Sequence, residues 1–368
     1  MNGIMQFDRR RWLLGALGTS LLAQTESARE VRMPRKIRLA IAGFDGHVNE
    51  ILRVMPQLPD VELTAVADAG SDPEAVRSAL ENPVVAKAHR YASIKELIER
   101  EPLDVAAICN NNGERASAIL ACAARKLDVI AEKPLATNRA DLDAVYATAK
   151  ASGIHLGMLL PMRFDPPYLA MKGIVEMGDI GEVLQVDGQK SYQLGTRPAW
   201  QKQTATYGST ILWIAIHTID LMLWIGGRRF TEVASMQSRV GFPEIGNMQN
   251  VTASIFRLDN GGTAALHMDY LRPRTASGHG DDRLRVVGSR GIVEYQETTG
   301  VTLITDREGL RIVHDLPPQE SVFLDYLRTV YQHARPQLSW PEIVAANEAT
   351  LAAHTAAAQH CLVEIANG

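Results

Sequence analysis

Cysteine is scarce in this chain of 368 residues: Cys109, Cys122 and Cys361 are an odd number at wide spacing, with no paired-ligand pattern. Neither a disulfide framework nor a metal site is implied, and all three read as buried thiols. Charge of one sign is lacking too. The net charge of −4 comes from 38 Lys and Arg against 42 Asp and Glu, and the cations are scattered rather than gathered into a stripe, which argues against a nucleic-acid partner. No internal repeat or low-complexity tract stands out, and the N-terminal apolar run Gly15–Ala23 is too short for a stable membrane span. What remains is a chain long enough for two units, each burying a core of its own.

The short apolar run has another use. Asp8-Arg9-Arg10-Arg11-Trp12-Leu13-Leu14 leads directly into it, the arrangement of a twin-arginine export signal, and Glu26–Arg35 follows as a linker. Residues 1–35 are therefore set apart, and a periplasmic or otherwise extracytoplasmic location is expected. That route carries proteins already folded around a cofactor.

From residue 36 to about 160 the pattern is strand, helix, strand. Ile37–Ala42 reads as a buried first strand followed by Gly43-Phe44-Asp45-Gly46-His47-Val48, a partial dinucleotide fingerprint. Gly43 fits the first glycine, Asp45 and Val48 stand at the second and third positions, and Gly46 is displaced by one. Asp45 is tolerable beside a diphosphate only if its carboxylate turns away to cap backbone N–H groups. The second strand, Val61–Asp68, ends in an acid about 20 residues further on, placed to bind ribose hydroxyls and repel a 2′-phosphate, so NAD is expected over NADP. Helix Ile94–Arg100, strand Leu103–Cys109, helix Glu114–Arg125, helix Arg139–Ser152 and strand His155–Leu160 complete a Rossmann-like, doubly wound parallel sheet.

Within it, Asp128–Ala131 reads as a strand that runs into Glu132-Lys133-Pro134. Pro134 disfavours helical backbone at Lys133, so the strand stops with the amine at its carboxyl end, the edge of a parallel sheet where ligands bind.

After about residue 161 the pattern changes to alternating strands, at Glu182–Tyr192, Thr231–Arg239, Val251–Leu258, Thr263–Tyr270, Arg283–Val287, Gly291–Glu297 and Val301–Thr305. This predicts an α+β unit with an open, mainly antiparallel sheet, preceded by helix Tyr168–Met177 and closed by helices Ser321–Gln332 and Trp340–Ile365. One helix, Ser209–Trp224, is apolar almost all round yet carries His217 and Asp220 on one face with Trp213. A carboxylate close to the imidazole would fix its tautomer and raise its basicity.

Glu132-Lys133-Pro134 behind a nucleotide-binding pattern, with Tyr207-Gly208 ahead of x-His217-x-x-Asp220, resembles the Gfo/Idh/MocA family of sugar and polyol oxidoreductases, from about Lys36 to the C-terminus. The resemblance implies NAD, with Gly43, Asp45, Gly46, His47, Asp68, Asn110, Asn112, Glu132 and Lys133 around it, and export to a compartment without free NAD implies that the cofactor is retained. It implies catalysis by Lys133, His217 and Asp220, with Arg163, Tyr192, Arg197, Trp200, Trp213 and His279 as substrate-facing candidates. A small carbohydrate or polyol substrate and a homodimer or homotetramer formed through the open sheet are also implied. Two departures matter. Where the family runs Thr-Pro-Asn-x-x-His, this chain has Asn110, Asn111, Asn112 and Arg115; where it runs Asp-x-Gly-x-His, this chain has Trp213 and Ala215. The missing acid leaves room for an NAD-using glycoside hydrolase or lyase, or for a non-catalytic sugar or nucleotide sensor, beside simple dehydrogenation.

Overall fold

The computed structural model describes residues 30–366; the residues expected to form an export signal lie outside them. The first half alternates β1 (Ile37–Ala42), α1 (Asn49–Leu52), β2 (Val61–Ala67), α2 (Pro73–Leu80), β3 (His89–Tyr91), α3 (Ile94–Arg100), β4 (Val105–Ile108), α4 (Asn112–Ala124), β5 (Asp128–Glu132), α5 (Arg139–Ser152) and β6 (Leu156–Leu159). The strands form one parallel sheet in the order β3-β2-β1-β4-β5-β6. Chain direction across the sheet reverses between β1 and β4, and their carboxyl ends open the crevice where a dinucleotide binds. The inner strands are apolar on both faces because helices cover both, as in β4, whose four residues are all buried. Local chemistry sets the helix ends. Asn138 caps α5 by accepting from the Asp141 N–H, and Gly153 stops it in the left-handed region at φ 70°.

The second half contains α6 (Pro166–Glu176), β7 (Val183–Ser191), α7 (Thr204–Tyr207), α8 (Ile216–Gly226), β8 (Phe230–Ser238), β9 (Val251–Leu258), β10 (Thr263–Asp269), β11 (Arg283–Gly288), β12 (Gly291–Gln296), β13 (Gly300–Thr305), β14 (Arg311–Val313), α9 (Val322–Gln332), α10 (Trp340–Gln359) and β15 (Val363–Glu364). Its sheet runs β14-β13-β12-β11-β7-β10-β9-β8-β15. Only the β7–β10 pair is parallel, so the sheet is mixed and mainly antiparallel. Thr252, Ser254, Phe256 and Leu258 of β9 point inward, while Ala253, Ile255 and Arg257 face outward.

Three expectations need correction. The last helix stops at Gln359, because His360 takes a left-handed conformation (φ 55°) and the chain turns back to pair Val363 with Val233 of β8. That turn leaves Cys361 exposed, unlike the buried Cys109 and Cys122. The apolar helix begins later than Ser209, as a π-helical turn over Ile211–Ala215 that runs on into α8. The stretch Thr204–Gly226 is apolar and long enough to cross a membrane, yet 89% of its most apolar window is buried inside the fold.

Candidate active site

The carboxyl end of β5 places Glu132 and Lys133 in the crevice, next to the loop that follows β1. That loop approaches closely because it has glycines where side chains would collide. Gly43 (φ 87°) lies against the backbone of Cys109 and Asn110, and a Cβ on Gly46 (φ 69°) would strike the Glu132 carboxylate. The displaced glycine of the fingerprint thus makes room for Glu132.

Glu132 is completely buried. Its Oε1 accepts from the backbone N–H of His47 and lies 2.5 Å from His47 Nδ1, while Oε2 accepts the Lys133 N–H at 2.8 Å. Burial opposes its charge, but His47, Lys133 and Arg115 outweigh that opposition and hold the carboxyl down at about 2. For Lys133, burial prevails over the attraction of Glu132, with Arg115 and Lys190 adding repulsion, and the amine falls to about 7. Its Nζ donates to the Trp213 carbonyl and lies 3.2 Å from the centre of the indole ring.

His217 is buried on α8, and its Nδ1 has no partner. Its ring meets that of His47 edge to face, with centroids 4.9 Å apart. Burial, then the charges of Lys133, His47 and Lys190, push its pKa well down, leaving a neutral imidazole able to accept a proton.

The expected His217–Asp220 partnership does not form. Asp220 takes two bonds from Arg163, Nε to Oδ2 at 2.7 Å and Nη2 to Oδ1 at 2.6 Å, and Arg163 also reaches Glu342 at 2.8 Å. A buried guanidinium needs a carboxylate more than a neutral imidazole does, so Asp220 and Arg163 form a structural ion pair rather than a catalytic and a substrate group.

Several other candidates are also redirected. Asp45 is buried, and its Oδ1 accepts from Trp200 Nε1 at 3.0 Å, with the Asp72 N–H only at 3.5 Å, so the indole replaces the expected backbone cap. Trp200 is correspondingly buried against Tyr207 and Trp213 rather than forming an open wall. Asn112 donates to the Tyr207 carbonyl at 2.8 Å and accepts from Arg115 at 2.9 Å, so it braces the start of α4 against the α7 segment. Asn110 keeps a buried Oδ1 without a partner. Asp68, at the end of β2, is ion-paired with Arg90 at 2.5 Å.

Sequence reasoning missed the parts played by two charged residues. Arg115 is completely buried and binds the carbonyls of Asn110, Lys133 and Pro134, fastening the end of β4 to the turn after β5. Lys190 Nζ donates to Asp282 Oδ2 at 2.6 Å and to the Tyr192 hydroxyl at 2.7 Å. Its signal was legible, since in β7 it falls in the inward register with Val186 and Gly188. Tyr192 in turn stacks on His279 with centroids 5.0 Å apart, and Arg197 lies 4.3 Å above the Tyr270 ring.

A doubly wound sheet with a glycine loop at its switch point and an amine and an imidazole beside that loop defines a dinucleotide-dependent oxidoreductase. A family model described as an oxidoreductase family with an NAD-binding Rossmann fold matches residues 37–159, and a GFO/IDH/MocA C-terminal domain model matches residues 168–294. A myo-inositol 2-dehydrogenase of Thermotoga maritima is 30% identical over 281 residues, covering 75% of this chain and 80% of that protein. An inositol 2-dehydrogenase of Salmonella typhimurium is 29% identical over 182 residues, 48% of this chain and 50% of that protein. One solved structure from Thermotoga maritima superposes with a TM-score of 0.84 at 30% identity, covering 89% of this chain and all of that one. A levoglucosan dehydrogenase in complex with NADH shares the fold, with a TM-score of 0.76 at 17% identity over 91% of this chain and 100% of that one. The chain belongs to the Gfo/Idh/MocA family of oxidoreductases, and its first half is an NAD-binding Rossmann domain.

The residues present fit that cofactor: the loop after β1 carries glycines at 43 and 46, the Asp68 carboxylate follows β2, and Oδ1 of Asn110 is a buried acceptor without a partner after β4.

Proposed function

We propose that the chain oxidises or reduces a carbinol carbon of a sugar or polyol, with residues to about 160 holding NAD and the rest shaping the substrate site. The observation that carries this is the convergence of Lys133, lowered to about 7, and a neutral His217 on one wall beside the glycine loop. NAD, when bound, supplies the hydride acceptor or donor. Lys133 as ammonium stabilises charge developing on the substrate oxygen, and His217 takes or returns the hydroxyl proton. At the position where the family pattern has an acid, Trp213 instead lays its ring against Lys133. The same replacement supports a second reading, transient oxidation followed by elimination of a leaving group and restoration of the cofactor. Incubating the protein with myo-inositol, aldoses and glycosides, and recording both nicotinamide absorbance and released sugar, separates the two. Turnover of none of them would defeat both readings.

Arg9-Arg10 ahead of Gly15–Ala23 supports twin-arginine export, and with it a cofactor that stays bound, since an exported enzyme meets no pool of free NAD. Replacing both arginines by lysine should keep the protein in the cytoplasm. Exposed Met236 and Ile255 on the outer face of the second sheet support self-association through that face.

A further inference from the structure

We propose that His47, held by Glu132, is the relay through which the proton taken by His217 leaves the site, filling the place of the acid that Trp213 replaces. This rests on the polyol oxidoreductase reading above. Four observations carry it. His217 is 5% exposed, so a proton it accepts has no direct way to water. The His47 side chain is 27% exposed while Glu132 is wholly enclosed, so His47 is the member of the pair that touches both solvent and the interior. The two imidazoles are in edge-to-face contact, at 4.9 Å between centroids. Finally, Glu132 Oε1 lies 2.5 Å from His47 Nδ1, which assigns the ring proton to Nδ1 and leaves Nε2 as the basic nitrogen.

The steps balance. The substrate O–H bond breaks and its proton goes to His217; the C–H bond breaks and its electron pair leaves with hydrogen to the oxidised nicotinamide; a C=O bond forms. The proton passes from His217 through a bridging water to His47 Nε2 and then to bulk water, and both imidazoles return to neutral. Charged and titratable groups around His47 come from each neighbouring element: Glu132 and Lys133 at the end of β5, Glu50 on α1, His217 on α8, and Arg115 of α4 behind Glu132. Gly46 belongs to the same device, because any side chain there would displace the Glu132 carboxylate.

His47 acts through His217 and is a positioning and relay residue. The decisive variant is His47→Asn, whose amide retains a donor for Glu132 but cannot carry a proton; His47→Gln serves if the first fails to fold. In cofactor-free protein labelled with ¹⁵N-histidine, an NMR titration should show His47 and His217 protonating as a coupled pair in the wild type. In the variant, His217 should titrate alone and at higher pH, because the neighbouring imidazolium charge is gone. A single-step His217 titration, unchanged by the substitution, overturns the relay. With NAD and myo-inositol as probe, kcat of the variant should fall about 10²-fold with KM little changed, and added imidazole should restore part of it. Unchanged kcat also overturns the proposal. If wild-type protein does not turn over myo-inositol or the other sugars, the oxidoreductase reading fails, and the NMR titration still decides the relay.

Discussion

At the scale of single residues, buried charge sets both chemistry and stability. Lys133 titrates near 7 in the folded protein and near 10.4 when unfolded, so between those pH values the unfolded chain binds one more proton and stability rises with pH. Lys133→Met should remove that slope, raise Tm at neutral pH by relieving a buried charge, and lower turnover by about 10²-fold; thermal melts from pH 6 to pH 10, with kinetics, check this. Glu132 works in the acid range: held at about 2, it contributes stability above its unfolded pKa that is lost as pH falls toward 2. Asp220→Asn leaves the buried Arg163 guanidinium with Glu342 as its one remaining carboxylate partner and should cost roughly 3–5 kcal/mol by chemical denaturation. Asp68→Ala should weaken NAD binding and narrow the preference over NADP, with Arg90 then free to meet a 2′-phosphate. Lys133, His217, Glu132 and His47 were legible because each stands in a local pattern. The Asp220–Arg163 pair was not, since 57 residues separate its members and helix periodicity pointed to a nearer partner.

At the scale of elements, the sequence was clearest where a cap or an alternation marked the limits. Helix α5 lies between a capping Asn138 and a terminating Gly153, and β9 alternates inward and outward throughout, and both have the expected bounds. Short exposed elements gave no such signal: β3 has three residues, two of them exposed, and β14 and β15 are short edge strands, the first held by the adjacent β13 and the second by the distant β8. The glycine loop is the most sensitive element. Gly46→Ala combines an unfavourable positive φ with a collision against Glu132, so it should weaken NAD binding and cost about 1–3 kcal/mol, measurable by cofactor titration and melting.

At the scale of the whole molecule, the two sheets meet through chain segments rather than through the sheets themselves. The outward face of the second sheet carries Met236, 77% exposed, and Ile255, 61% exposed. Ile255→Lys should shift the protein toward monomer in light scattering while leaving NAD binding intact. The segment around α7 closes on the nucleotide half, with Trp200 bonded to Asp45 of the glycine loop and the Tyr207 carbonyl bonded to Asn112 at the start of α4. Two of the five tryptophans, Trp200 and Trp213, therefore stand in mutual contact beside Lys133 and the glycine loop. Their ultraviolet emission overlaps the absorption band of reduced nicotinamide, so the protein carries its own optical gauge of cofactor loading and redox state. Excited at the indole band, purified protein should glow at the nicotinamide wavelength when NADH is bound and lose that glow on oxidation, with no dye attached.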